Sequence, residues 1–135
     1  MMKPLIVVLG SVTLSLALTA CGKPFQTGWP EFKMWVKPGA SDFEIKKALL
    51  ECGVLNPYYP MYDDTRLTLN EVARYQLCMQ KDGFVYNLQT NTFCRNYPNL
   101  DACKPENTDS IPARDINLRL NSQFCKRIQQ FEECK

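Results

Sequence analysis

Apolar residues at helical spacing follow Pro38-Gly39 and predict a first helix over residues 42–52. Ser41 and Glu44 have the spacing of a capping box, in which each side chain accepts a backbone amide of the first turn. Gly53 stands where a left-handed C-terminal cap is needed. The predicted inward stripe of this helix is Ile45, Ala48, Leu49 and Cys52.

The same signals predict a second helix over residues 69–82. Thr68 and Glu71 form another capping box, and Gly83 marks the end. A disulfide Cys52–Cys78 would join the inner faces of the two helices. The apolar side of the second helix is wide enough for a buried position and consists of Leu69, Val72, Ala73, Tyr75, Leu77 and Met79.

The segment Glu31–Lys37 alternates in character and predicts a short strand or an extended arm. Its two sides are Phe32, Met34 and Val36 on one, and Lys33, Trp35 and Lys37 on the other.

A third helix is predicted from residue 115, because apolar residues recur there in steps of four. We interpret the basic residues of this region as a solvated face. The apolar stripe is Ile116, Leu120, Phe124 and Ile128, and the basic residues are Arg114, Arg119, Lys126 and Arg127.

An internal repeat relates residues 93–104 to residues 124–135. Phe93-Cys94-Arg95 leads to Cys103-Lys104 as Phe124-Cys125-Lys126 leads to Cys134-Lys135. This predicts two small modules of the same shape.

Local disulfides within each copy require a bend. Nine residues of unbroken helix separate two α-carbons by about 13 Å, whereas a disulfide needs them within about 7 Å. Pro98-Asn99 can bend the first copy, so Cys94–Cys103 fits. We favour Cys125–Cys134 in the second copy; if that copy is a straight helix, its cysteines pair instead with Cys94 and Cys103.

The first 20 residues have the pattern of an export signal, with Lys3 followed by a run from Leu5 to Leu18 without a charge. A transmembrane helix needs roughly 20 apolar residues, and this run is shorter. Leu18-Thr19-Ala20-Cys21 matches the lipobox of bacterial lipoproteins. The match implies cleavage before Cys21 and lipid on its thiol, whereas an ordinary secretion signal would not require cysteine there.

Residues 21–30 contain two glycines and two prolines and predict a flexible, lipidated tether. Gly22 occupies the position where aspartate commonly retains a lipoprotein in the inner membrane. In a Gram-negative host the expected location is therefore the periplasmic face of the outer membrane. Residues 31–135 then form one domain.

Composition narrows the chemistry. The chain has no histidine and a formal net charge of +2, so histidine-based catalysis and histidine metal sites are excluded. No basic stripe indicates nucleic acid. No motif indicates a catalytic residue, a metal site or a cofactor other than the lipid on Cys21, and we expect no enzymatic activity.

Cys21 leaves six of the seven cysteines, an even number that indicates three disulfides in an exported chain. A four-thiolate zinc site is disfavoured because no C-x-x-C spacing occurs. The expected fold is mainly α: a small disulfide-stapled domain of about three helices with short helical or extended pieces.

The segment Asn56–Asp64 is rich in aromatic residues and prolines and predicts a loop. It is a candidate binding loop for a partner protein or glycan. Alternatively, its tyrosines cover a small core. The candidate residues are Tyr58, Tyr59, Met61 and Tyr62.

The motif W-x-K-P-G-A-S at residues 35–41, Cys52, and C-M-x-x-x-G-aromatic at residues 78–84 resemble a class of small, often prophage-encoded, bacterial envelope lipoproteins. The resemblance covers residues 35–84. It implies an exported helical pair tied by one disulfide, and it brings no agreed biochemical activity.

Three functions fit these features. The first is a membrane-anchored, non-enzymatic module that binds an envelope protein or modifies the envelope, with phage exclusion as one version. The second is a periplasmic inhibitor of a cell-wall hydrolase. The third is a passive structural lipoprotein.

Overall fold

The structure is a computed structural model, and it describes residues 28–59, 66–86 and 93–135. Its fold is mainly α and stapled by disulfides, as predicted. The helices are α1 (Asp42–Glu51), α2 (Leu69–Lys81), α3 (Phe93–Asn96), α4 (Pro105–Thr108), α5 (Ile116–Asn121) and α6 (Gln123–Arg127). Short 3₁₀ helices span Glu31–Met34, Asp101–Cys103 and Glu132–Cys134, and the strands are β1 (Trp35–Val36) and β2 (Val85–Tyr86).

The predicted signals begin and end α1 and α2. Thr68 and Glu71 form the complete capping box. At α1 the hydroxyl of Ser41 accepts the amide of Glu44 at 3.2 Å, but the Glu44 carboxylate pairs with Arg114, so only half of that box is confirmed. Gly53 and Gly83 have φ values of +98° and +83°, which favour glycine at the helix ends.

The main core lies between α1, α2 and the N-terminal segment. The predicted stripes of both helices supply most of it, although Leu69 of α2 is exposed. The disulfide Cys52–Cys78 joins the two helices beside this core. The buried members are Phe32, Met34, Trp35, Ile45, Ala48, Leu49, Val54, Val72, Tyr75, Met79 and Phe84.

The N-terminal segment differs from the predicted alternation. Its first four residues form a 3₁₀ helix, which turns Trp35 into the core and leaves Val36 exposed. Buried Glu31 fixes this arrangement, because its carboxylate accepts the Trp35 indole N–H at 2.9 Å and the Tyr75 hydroxyl at 3.1 Å. Strand β1 then pairs with β2 in antiparallel register, Trp35 opposite Tyr86.

The predicted third helix is interrupted. Ser122 has an extended conformation and caps α6 with its hydroxyl, so α5 ends at Asn121. This break moves Ile116 and Leu120 out of the stripe with Phe124: both are exposed, whereas Phe124 is buried. The prediction of a continuous stripe from Ile116 to Ile128 is therefore wrong.

Residues 93–104 and 124–135, the first and second modules, have the same backbone form. Each has a short α-helix, a turn and a 3₁₀ helix, and a disulfide with an α-carbon separation of 5.2 Å. These are the pairs favoured by the sequence, Cys94–Cys103 and Cys125–Cys134. The two modules share four backbone hydrogen bonds at matching positions. Written from the residue whose amide donates to the residue whose carbonyl accepts, they are 97 to 93, 100 to 97, 103 to 100 and 104 to 101 in the first module. In the second module they are 128 to 124, 131 to 128, 134 to 131 and 135 to 132.

Candidate interaction surface

Tyr58 of the predicted binding loop is part of an aromatic cluster rather than a free surface. Its ring centre lies 5.5 to 5.9 Å from those of Phe32, Phe124 and Phe131. Its hydroxyl donates a 2.5 Å hydrogen bond to the carboxylate of Glu133. Burial, followed by this hydrogen bond, raises the pKa of the Tyr58 hydroxyl above its ordinary value. Tyr58 therefore joins the loop to the second module.

Tyr59, the next residue, points to solvent and is 55% exposed. Its carbonyl accepts the amide of Glu31 at 3.2 Å, and the carbonyl of Pro57 accepts that of Phe32 at 3.0 Å. Residues 57–59 of the loop thus lie along the N-terminal segment. Met61 and Tyr62 lie outside the described residues, as do the predicted signal peptide and Cys21. A binding role for this loop stays a prediction.

Arg119 is a buried residue rather than part of a solvated face. It is 3% exposed, and its Nε donates to the Glu51 carboxylate at 2.8 Å. Its Nη1 donates to the carbonyls of Glu133 and Lys135 at 2.8 and 2.7 Å. One guanidinium therefore fastens α5 to α1 and to the end of the second module.

Arg114 extends this network and also corrects the predicted solvated face. Its guanidinium donates to Glu51 and Glu44 at 2.7 Å and to Asp82 at 3.0 Å. Burial opposes its charge, but the three carboxylates hold the pKa of Arg114 above its ordinary value. For Asp82, burial alone would raise the pKa. Hydrogen bonds from Arg114 and Lys37 outweigh the effect of burial, so the pKa of Asp82 lies below its ordinary value.

Helix α5 is consequently docked by a polar side chain and displays apolar ones. Its buried residue is Arg119, and the Asp115 amide just before it donates to the Glu51 carbonyl at 3.1 Å. Ile116, Leu118 and Leu120 are 53%, 47% and 44% exposed. A buried charged side chain on a helix whose large aliphatic side chains are exposed is an informative departure from ordinary burial.

An open groove of about 400 Å³ runs between α5 and the turn that ends α1. Leu118, Val54 and Leu55 contribute apolar surface, and amide, hydroxyl and carboxyl groups stand around them. A concave surface lined by apolar side chains together with a few polar groups is suited to binding a ligand or a partner. Its lining residues are Leu50, Gly53, Val54, Leu55, Asp115, Asn117, Leu118, Asn121, Ser122 and Gln123.

The sequence contained one signal for this surface. Asn121 and Ser122 are residue types that favour the cap between two helices. A helix boundary predicted at this pair would have separated α5 from the helix that carries Phe124. The burial of Arg119 had no local signal, because its partner Glu51 lies 68 residues earlier.

In residues 28–59, 66–86 and 93–135, no group of three or more histidine, cysteine, aspartate or glutamate residues could hold a metal ion. Within the same ranges, no helix has the length and apolar character needed to cross a bilayer. Comparison with protein-family models, with curated proteins and with solved structures found no match. The resemblance to prophage-type lipoproteins stays a prediction.

Proposed function

We propose that this protein is a lipid-anchored envelope lipoprotein, and that its disulfide-stapled domain binds another envelope protein through α5 and the adjoining groove. The lipobox at Cys21 supports the anchor. In a Gram-negative host, Gly22 after the lipidated cysteine supports a location at the periplasmic face of the outer membrane. The role is non-enzymatic, and phage exclusion remains one version of it because of the resemblance described above.

The observation that carries the binding proposal is that α5 buries the charged side chain of Arg119 and exposes its aliphatic side chains. Ile116 and Leu120 lie four residues apart on one side of this six-residue helix. They would normally face the core, since burial of each contributes about 1.5–3 kcal/mol. Here Arg119 occupies the inward side instead. An apolar partner surface would recover that burial.

The charged groups support binding over catalysis. Glu44, Glu51 and Asp82 are engaged by Arg114, and Glu51 also by Arg119. Such mutual pairing fixes the helices relative to one another and gives the groove walls a defined position. A rigid surface loses less conformational freedom when it binds.

Photo-crosslinking in intact cells tests the binding proposal. A photoreactive residue replaces Leu118 in the groove, and a matched probe replaces Glu106, an exposed residue of α4. We expect one dominant crosslinked protein from position 118 that is absent from position 106. A cell-wall hydrolase in that band would select the inhibitor hypothesis. Identical faint patterns from both probes would contradict binding through α5 and favour a passive structural lipoprotein.

The anchor needs a separate test. Cells grown with labelled palmitate should incorporate label into the wild-type protein, and Cys21→Ser should abolish both the label and membrane association. Unlabelled wild-type protein would contradict the lipid anchor without affecting the groove.

A further inference from the structure

The side of the domain at which the chain enters carries two exposed aromatic residues. Trp29 is 72% exposed and Tyr59 is 55% exposed. The hydrogen bonds Glu31 N to Tyr59 O and Phe32 N to Pro57 O run the two segments antiparallel. This pairing brings Trp29, just before Glu31, to the same end of the domain as Tyr59.

Two lysines lie over the rings of Phe32 and Tyr58, which belong to the same two paired segments. The ammonium groups of Lys33 and Lys46 lie 5.1 and 4.5 Å from the centre of the Phe32 ring, and that of Lys46 also lies 4.5 Å from the Tyr58 ring. Asp42 at the start of α1 pairs with Lys33, while Glu133 accepts the Tyr58 hydroxyl. The tether face is defined here as Trp29, Lys33, Lys46 and Tyr59.

We propose that the tether face rests on the phospholipid headgroup surface and orients the domain on the membrane. This inference rests on the proposed lipid anchor at Cys21. Trp29 lies eight positions after Cys21, and an extended chain over eight positions spans at most about 29 Å. The anchor therefore keeps Trp29 within reach of the bilayer.

The chemistry of the tether face fits such a surface. Tryptophan and tyrosine prefer the membrane interface, because their rings have an apolar body and a polar edge. Lysine ammonium groups are attracted to anionic headgroups, and their stems lie along apolar surface. A phospholipid surface matches both features.

Seating the tether face on lipid leaves α5 accessible. Lys33 is paired with Asp42 at the first residue of α1, whereas the groove lies at the C-terminal end of this helix, where Leu50 and Gly53 line it. The ten-residue α1 separates these two points by about 15 Å. The domain can thus contact membrane and partner at once.

The two tryptophans make a direct experiment possible. Trp29 is exposed and Trp35 is buried in the core, so Trp35 acts as an internal reference. The full lipidated protein is reconstituted in vesicles whose lipids carry bromine near the headgroup end of their acyl chains. We expect roughly a twofold loss of tryptophan emission in the wild type, since one of the two rings sits at the interface. Trp29→Phe should remove the quenching.

Vesicle flotation is measured on the same samples. Protein that floats with the vesicles while its emission matches that in unbrominated lipid would overturn the docking of the tether face and leave the anchor intact. Protein that does not float would overturn the anchor and, with it, this inference. Stronger quenching in phosphatidylglycerol than in phosphatidylcholine vesicles would support the lysines as part of the face; equal quenching would remove them from it.

Discussion

The first and second modules share a backbone but not an environment. Phe124 and Cys125 of the second module are buried, whereas the matching Phe93 and Cys94 of the first are half-buried. The matching positions 102 and 133 are both buried, yet one holds alanine and the other glutamate. The repeated cysteines and their turns therefore specify the shape of a module, while its neighbours specify how deeply it docks.

The attachments of the two modules differ accordingly. In the first, the Ala102 amide donates to the Asn70 side chain at 2.9 Å, and small apolar residues of α2 complete the contact. In the second, Glu133 receives the Tyr58 hydroxyl, and Arg119 binds the last carbonyls. The side chains of Tyr58 and Arg119 thus hold the second module, and removing them should leave the attachment of the first module unchanged.

The largest expected effect is that of Arg119→Leu. It leaves the buried Glu51 carboxylate with one guanidinium fewer and frees the end of the second module. Breaking a buried pair from one side costs about 3–5 kcal/mol, and urea unfolding should show a loss of that size. The matched control is Arg127→Leu, at an exposed position, which should change stability by less than about 0.5 kcal/mol. Equal losses would contradict the special position of Arg119.

Removing each module's disulfide sharpens the comparison. Both close loops with a sequence separation of 9 residues, so chain entropy predicts a similar loss of about 2.5 kcal/mol for each pair. Because Cys125 is buried, Cys125→Ala with Cys134→Ala should cost about 1 kcal/mol more than Cys94→Ala with Cys103→Ala. Thermal unfolding measures both. A larger loss of stability from the first module's pair would contradict the deeper burial of the second module.

Tyr58→Phe keeps the aromatic cluster but removes the hydrogen bond to Glu133. Since that acceptor is a buried carboxylate, the free energy of unfolding should fall by about 1–2 kcal/mol. Tyr97→Phe is the matched change in the first module, where the tyrosine is exposed, and it should be nearly neutral. Urea unfolding at neutral pH compares them, and an unchanged Tyr58→Phe would mean that the hydrogen bond contributes nothing to docking.

A smaller effect concerns pH. The pKa of Asp82 is below its ordinary value of 3.8, so folding favours the ionised carboxylate. Its stabilising contribution is fully present above pH 3.8 and is lost as the pH falls through the lower, folded-state pKa. Asp82→Asn should reduce this acid-dependent loss of stability in unfolding curves between pH 5 and 2.

Asp101 of the first module provides the contrasting carboxylate. The Lys104 hydrogen bond lowers its pKa too, but the pair is solvent-exposed and screened by salt. Asp101→Asn should therefore alter the acid-dependent loss less than Asp82→Asn, and only at low ionic strength. The reverse order would contradict the importance assigned to the Arg114 network.

The features predicted correctly are those with local causes. Ser41, Thr68, Gly53 and Gly83 act within one helical turn, and the repeated cysteines act within one module. The failures concern distant partners. Trp35 turns inward because Glu31 accepts its indole N–H inside a core that α2 completes. The alternating pattern of residues 31–37 cannot predict this contact, because it depends on residues of α2.

Arg119 shows the same limit at the candidate surface. Its charge indicated solvent exposure, since an isolated buried guanidinium is costly, but Glu51 and two backbone carbonyls compensate it. That pairing rotates α5 and leaves its aliphatic side chains outward. The candidate surface therefore depends on a long-range ion pair, and its location could not be read from periodicity.

The most direct test of the proposed role of α5 is the unfolding free energy of Leu118→Ser. If Leu118 is displayed for a partner and not packed in a core, the loss should stay below about 1 kcal/mol. A loss of about 3 kcal/mol or more, the size typical of a buried leucine, would contradict the outward orientation of α5 and the binding surface built on it.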